Sequence, residues 1–199
     1  NRLHQSTPEA PEVHRILAKM VGAGKRYAVL ESTSHGLSHR TARLAHVRYR
    51  AAVFTNLGHE HLEFHGSFEQ YGSDKANLFR QLQPDGVGVV NRASPHANVF
   101  TQAAAARIVE YAVTEDEPAE LSANLMGRVT DAGPAHTQIA LYWADGSATV
   151  RLPMPGTFNA ENALAALLTV AEVTGRPVED LASLLNRLTG PVGRMQVIT

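Results

Sequence analysis

The sequence predicts an α/β fold, because short apolar runs alternate with segments of helical periodicity along its first half. Three of the apolar runs, at residues 27–30, 51–54 and 87–91, are predicted to be buried strands that end in polar residues. Between about residues 121 and 153 the pattern changes to alternating apolar and polar residues, which indicates an antiparallel meander. The prediction is a mostly parallel, doubly wound sheet joined to an antiparallel meander.

Helices are predicted where apolar residues recur at a spacing of three or four. The first of them stops at the Gly22-Ala23-Gly24 segment, and Asp145-Gly146 marks a hairpin within the meander. The predicted helices cover about residues 9–22, 67–83, 96–106, 159–173 and 178–188.

Polar residues follow each predicted strand, namely Glu31, Thr55-Asn56 and Asn91. The carboxyl ends of parallel strands meet at one edge of a sheet, and ligands of such folds bind outside that edge. We therefore expect the functional site to lie there.

Charge and composition exclude several classes of protein. Eighteen basic and nineteen acidic side chains nearly cancel, which gives no support to binding of nucleic acid or of a membrane surface. The absence of cysteine excludes disulfides, zinc–thiolate sites and a cysteine nucleophile. The balanced charge instead favours small-molecule ligands. No membrane span or secretory signal is visible, so a cytoplasmic location is expected. The chain begins at Asn1, without an initiator Met, and is interpreted as a piece of a longer protein.

The densest group of ionisable side chains lies at residues 58–66, with three imidazoles and two carboxylates. These residue types could bind a divalent metal and support a metal-dependent hydrolase. A solvated polar loop is the alternative, because Glu63 stands where the zincin pattern that starts at His59 requires a histidine.

Two further candidates have weaker local signals. Glu31, followed by Ser32-Thr33-Ser34, offers oxygen ligands of the kind that magnesium prefers, although the hydroxyls could equally cap a helix. Lys75 has no local feature that distinguishes it from a surface lysine.

Six segments, in order, resemble the motifs of the Mur ligase family. They are Ser6–Glu9, Glu31–Leu37, Phe54–Gly66, Tyr71–Phe79, Gly156–Ala166 and Gly193–Gln196. The sequence departs from the family pattern in five places: Ser6 replaces Thr, Thr33 replaces Ser, Glu60 and Glu63 replace Asp, and Gln196 replaces Glu. Any one segment would be weak evidence, but six in register extend along nearly the whole chain.

The resemblance implies that residues 1–199 are a partial Mur ligase central ATP-binding domain, since the family's glycine-rich phosphate loop does not occur among them. It implies an ATP- and Mg²⁺-dependent ligase of peptidoglycan synthesis that is monomeric when intact. Such an enzyme would add the third amino acid to UDP-N-acetylmuramoyl-L-Ala-D-Glu through an acyl phosphate. Residues 1–199 alone are expected to be inactive. Folylpolyglutamate and cyanophycin synthetases, which share this fold, and a non-catalytic binding module remain alternatives.

The resemblance also implies roles for individual residues. Glu31, His61 and a carbamylated Lys75 would attend the metal ions, with His61 and Lys75 acting in catalysis. The nucleotide would be bound by Asn56, Asn159, Asn162 and Arg194. The muramoyl dipeptide would contact Ser6, Thr7, Thr33, Ser34 and Arg43, with Arg40 as the alternative to Arg43.

Overall fold

A computed structural model describes residues 7–58 and 60–190, and within them it contains one six-stranded sheet. The strands lie side by side in the order in which they occur in the chain. They are β1 (Tyr49–Phe54), β2 (Leu82–Asn91), β3 (Arg107–Thr114), β4 (Leu125–Gly133), β5 (His136–Trp143) and β6 (Gly146–Leu152). The pairs from β1 to β4 are parallel, and the two pairs from β4 to β6 are antiparallel. The α/β class and the antiparallel meander are confirmed.

Seven α-helices and one 3₁₀ turn complete the described part of the chain. They are α1 (Ala10–Gly22), α2 (Ser34–Leu37), α3 (Leu62–His65), α4 (Phe68–Arg80), α5 (Ala97–Ala103), α6 (Thr157–Thr174) and α7 (Val178–Ala182), with the 3₁₀ turn at Ser183–Arg187. The hydroxyls of Thr33 and Ser67 cap α2 and α4 by accepting hydrogen bonds from backbone N–H groups. None of the described helices is long and apolar enough to cross a membrane.

The helices cover both faces of the sheet and form two hydrophobic cores. One face packs against α6, whose fully buried Leu164 lies in the same core as Val89 of β2. The opposite face packs against α4 and α5, and Phe79 belongs to the same core as Val90. Successive residues of β2 thus point to different cores, as the alternation of side chains along a strand requires. This arrangement leaves the carboxyl ends of the strands accessible at one edge.

The prediction of a strand at residues 27–30 is wrong. This segment has no regular structure, and Val29 is 100% and Tyr27 55% exposed. A strand is stabilised by pairing with a neighbour and by burial of its side chains. Among the described residues no strand pairs with this run, so its apolar composition alone does not produce a strand.

Strand β3 was not predicted from the sequence. It was not recognised because Arg107 and Glu110 interrupt the apolar pattern, although Val109, Tyr111 and Val113 alternate along it as expected for a strand. The C-terminal helical segment, predicted at 178–188, is divided into α7 and the 3₁₀ turn.

Candidate functional site

The candidate site begins at the carboxyl ends of β1 and β2. Asn91, the last residue of β2, donates from Nδ2 to the carbonyl oxygen of Thr55, at 3.0 Å, and so ties the two strand ends together. Asn56 follows and is exposed, and its Oδ1 accepts a hydrogen bond from the N–H of Leu57 at 2.8 Å. Two of the three predicted polar strand ends therefore meet at one edge, whereas Glu31 follows no strand.

Lys75 projects from α4 into an environment of mixed polarity. Burial lowers the pKa of its amine below 10.5, while the carboxylates of Glu60 and Glu31 act in the opposite direction. The Nζ atom lies 5.4 Å from the centre of the Tyr71 ring. Lys75 is therefore an amine with a lowered pKa that lies within electrostatic reach of two carboxylates, which distinguishes it from an ordinary surface lysine.

Three imidazoles lie close to one another near α3. The ring of His35 lies 4.9 Å from that of His61 and 5.5 Å from that of His65, and 4.1 Å from the ring of Phe64. Burial, and then the neighbouring His61 and His65, lower the pKa of His35. His61, the N-cap residue of α3, is in the left-handed conformation, with φ of 57°, which is uncommon for a residue other than glycine. A backbone of this kind is held in place by its surroundings and often marks a functional position.

Within the described part of the chain, no three histidine or acidic side chains converge in a manner that could hold a metal ion. The predicted cluster therefore does not form a preassembled hydrolase-type metal centre among these residues. His59, which the sequence analysis included in that cluster, lies outside the described residues, as do Ser6 and Arg194.

Apart from Ser6, which lies outside the described residues, the residues predicted to bind the dipeptide are brought together. The hydroxyls of Thr7 and Thr33 are 2.6 Å apart, and Ser34 next to them is buried. Arg43 donates to the carbonyl oxygen of Thr7 at 3.2 Å and pairs with Glu9 at 2.8 Å. The guanidinium of Arg43 is thus used in internal contacts that fix Thr7.

Arg40, the alternative to Arg43, is exposed. Its guanidinium carbon lies 4.6 Å from the centre of the Phe64 ring, and it also donates to the carbonyl oxygen of Phe64. Arg40 therefore presents a cation beside the histidine group, held in place by stacking.

Gly36 permits the close packing around Thr7. A Cβ atom at this position would lie 2.8 Å from Cγ2 of Thr7 and 3.2 Å from Cδ1 of Leu44, and both of these side chains are buried. Substitution of Gly36 by Ala should destabilise the intact protein by about 1–3 kcal/mol, measured by chemical denaturation. Gly22→Ala is the matched control, because nothing lies within 4 Å of its Cβ position at the end of α1. The control should be neutral or stabilising by about 0.4–1 kcal/mol, and equal destabilisation by both variants would contradict the packing argument.

The two candidate nucleotide-binding asparagines lie near the start of α6. Asn159 donates from Nδ2 to the carbonyl oxygen of Pro155 at 2.7 Å, and Asn162 is exposed. The residue that caps this helix is Gly156, with φ of 91°, so Asn159 is not the N-cap. The two asparagines lie three residues apart, which places them on one face of the helix.

Three further residues belong to this region; the sequence assigned no role to two of them, and Glu60 was considered only as a member of the 58–66 cluster. They are His35, Glu60 and Glu161. Burial raises the pKa of Glu161, and its carboxylate contributes, after burial, to a raised pKa of Tyr111 in β3. An acidic residue in the first turns of a strongly apolar helix is the signal that could have identified Glu161.

The sequence pattern of the Mur ligase middle domain matches residues 2–170. The chain belongs to the Mur ligase family. The UDP-N-acetylmuramyl-tripeptide synthetase of Borreliella afzelii is 38% identical over 199 residues, which cover 100% of this chain and 38% of that protein. The protein of the same name from Roseiflexus sp. (strain RS-1) is 42% identical over 210 residues, covering 100% of this chain and 40% of the relative.

Solved structures of Mur ligases show the same fold. A UDP-N-acetylmuramoyl-L-alanyl-D-glutamate–2,6-diaminopimelate ligase matches with a TM-score of 0.82 at 32% identity, covering 97% of this chain and 39% of that one. MurF from Acinetobacter baumannii matches with a TM-score of 0.64 at 26% identity, over 75% of this chain and 31% of the other. The chain thus spans less than half of the length of the Mur ligases that it matches.

Proposed function

We propose that the intact protein is an ATP-dependent amide ligase that adds the third amino acid to UDP-N-acetylmuramoyl-L-Ala-D-Glu. The observation that carries the proposal is the environment of Lys75, a buried amine of lowered pKa within electrostatic reach of two carboxylates in a Mur ligase middle domain. The names of relatives that are 38–42% identical over the whole chain support the same activity.

The central difficulty of such a reaction is electrostatic, because a substrate carboxylate must approach the γ-phosphate of ATP. Each pair of like charges costs about 4 kcal/mol at about 4 Å when the effective dielectric constant is about 20. Fixed donors and cations must compensate for that repulsion. The proposal assigns donors for the nucleotide to Asn56, Asn159, Asn162 and Arg194, and donors for the dipeptide to Ser6, Thr7, Thr33, Ser34 and Arg43. The position of Arg40 supports its inclusion with the dipeptide-binding group.

The residues around Lys75 fit a hard divalent cation in their chemistry. Glu31 offers an exposed carboxylate, Glu60 supplies a second one within electrostatic reach of the same amine, and His61 offers a half-exposed imidazole. Oxygen ligands with accessible positions for water suit Mg²⁺. Bound Mg²⁺ ions would neutralise phosphate charge, with Glu31 holding one and His61, together with the modified Lys75, attending a second.

Lys75 would contribute as a carbamate. Its neutral amine adds to carbon dioxide, an N–C bond forms and a proton is released, so that a cationic side chain becomes an anion. Burial assists this step because it lowers the pKa of the amine and increases the neutral fraction at a given pH. Two neighbouring carboxylates oppose the product unless a cation is bound, so the modification and metal binding should support each other.

Glu60→Gln should therefore promote carbamylation of Lys75 in the metal-free protein. Glu60 raises the pKa of Lys75, so its removal lowers that pKa further and also removes a negative charge near the carbamate. The carbamate is lost as the pH falls and the amine is protonated, and its onset should move to lower pH in the variant. The measurement is ¹³C NMR of the intact protein during a pH titration with ¹³C-labelled carbon dioxide.

Glu69→Gln is the matched control, because Glu69 is an exposed acidic residue in the first turn of α4 that does not act on the pKa of Lys75. Its carbamate titration should coincide with that of the wild type. An onset that is unchanged, or shifted to higher pH, in Glu60→Gln would contradict the assigned electrostatics.

A direct assay tests the proposed function. The purified intact protein is incubated with ATP, Mg²⁺, the muramoyl dipeptide and either diaminopimelate or lysine, and the tripeptide product and phosphate are quantified. We expect equal amounts of product and phosphate, and no product when the dipeptide or ATP is omitted. Phosphate release that is independent of the dipeptide, or ligation only to a pteroylglutamate acceptor, would overturn the assignment.

A further inference from the structure

A buried hydrogen bond joins α3 to α4. The side chains of His65 and Asp74 are 0% and 3% exposed, and Nδ1 of His65 donates to Oδ2 of Asp74 at 2.7 Å. The other oxygen of Asp74 accepts from Nε2 of Gln70 at 3.0 Å. Asp74 is therefore satisfied on both oxygens, and the orientation of the His65 ring is fixed by a charge-assisted hydrogen bond.

This bond connects the two segments that carry the candidate catalytic residues. His61 is the N-cap residue of α3, four residues before His65, and Lys75 follows Asp74 on α4. Tyr71 of α4 lies between His65 and Lys75, with its ring 5.2 Å from the ring of His65 and 5.4 Å from Nζ of Lys75. The position of His61 relative to Lys75 therefore depends on how α3 is held against α4.

Stability alone does not account for a histidine at position 65. Its Nε2 atom is buried and has no hydrogen-bond partner among the described residues. An unsatisfied polar atom in the interior destabilises a fold, whereas an aromatic hydrocarbon ring would fill the same space without that cost. Replacement of a buried polar pair by apolar residues of similar size is often neutral or stabilising.

We propose that His65 and Asp74 are positioning residues for the ligation site. Their hydrogen bond holds α3 in one place against α4, keeps His61 in its left-handed conformation and thereby sets its position relative to Lys75. A strained backbone conformation persists only where surrounding contacts enforce it, and the His65–Asp74 bond is such a contact. This inference rests on the proposed function, because it assigns the pair a purpose in the same site.

The test uses the intact protein with the double substitution His65→Phe/Asp74→Leu, which removes both polar groups and keeps the space filled. The unfolding temperature should be unchanged or higher. We expect kcat to fall about 10- to 100-fold, a loss like that seen when the partners that orient metal-binding side chains are removed, with little change in the KM for ATP. In the absence of ligands, hydrogen–deuterium exchange of residues 58–66 should increase.

Two further variants complete the design. Asp74→Asn retains an oxygen that accepts from Nδ1 of His65, so it should preserve the slow exchange of residues 58–66 and most of kcat. The matched control is His136→Phe/Asp131→Leu, which removes a second histidine–aspartate bond, also 2.7 Å long, between β4 and β5. Its kcat and its exchange at residues 58–66 should equal those of the wild type.

The results that would contradict a positioning role for His65 and Asp74 are specific. Wild-type kcat and wild-type exchange in the His65→Phe/Asp74→Leu variant would overturn the proposal, and so would loss of folding, since the pair would then serve stability. If the wild-type protein forms no amide product, the proposed function fails, while the exchange measurement still tests whether the pair holds α3 in place.

Discussion

Lys75→Ala in the intact protein should abolish ligation and leave the fold intact. The substitution removes the amine that the proposal converts into a negatively charged carbamate, and loss of one well-placed electrostatic group costs about two to three decades in kcat. The fold should tolerate it, because burial already disfavours the charged lysine and alanine is a good helix former within α4. The measurements are tripeptide formation under saturating substrates and thermal unfolding of the same preparation.

Chemical rescue makes this prediction specific to the carbamate. Small carboxylic acids such as acetate should restore part of the activity by supplying an anion in the space left by the side chain. Bicarbonate should not restore it, because alanine has no amine to modify. Lys19→Ala, which removes an exposed lysine of α1, should retain full activity. A fully active Lys75→Ala enzyme would remove the carbamate from the mechanism.

The elements that were predictable from the sequence are those whose signal is local. The run at 87–91 is buried on β2, the run at 51–54 lies on β1 with Ala52 and Phe54 buried, and Asp145-Gly146 lies at the turn between β5 and β6. The run at 27–30 is also apolar, but a strand requires a neighbouring strand to pair with. No residue pattern within the run indicates whether such a neighbour exists. Local composition therefore predicts which segments could form strands, and pairing determines which of them do.

In the candidate site, too, local sequence predicts some features, whereas others depend on the packing of distant segments. From its local sequence Lys75 resembles a surface lysine, and only the resemblance to a family singled it out. The lowered pKa results from the packing of α4, which brings Lys75 near Glu60 and Glu31 from other parts of the chain. Likewise, the sequence could not separate Arg40 from Arg43, whereas the structure places one beside Phe64 and the other against Thr7.

A polypeptide restricted to residues 1–199 should show no ATP hydrolysis and no ligation at any magnesium concentration. In the family pattern a glycine-rich phosphate loop supplies backbone N–H donors, a lysine and a metal-binding hydroxyl to the β- and γ-phosphates. The 199 residues contain no such loop, and Glu31, His61 and Lys75 cannot replace its donors. Each lost transition-state donor costs roughly 3 to 4 kcal/mol, so the loss of several places turnover below detection.

The decisive comparison measures phosphate release by this polypeptide and by the intact protein, with the dipeptide, amino acid, ATP and Mg²⁺ all present. Circular dichroism of the polypeptide serves as the control, because a folded but inactive sample separates loss of the site from loss of structure. Turnover within about tenfold of the intact protein, a barrier difference below about 1.4 kcal/mol, would mean that the ATP site is complete without a phosphate loop. The roles assigned to Glu31, His61 and Lys75 would then have to be abandoned, because they presume a phosphate site built mainly by other residues.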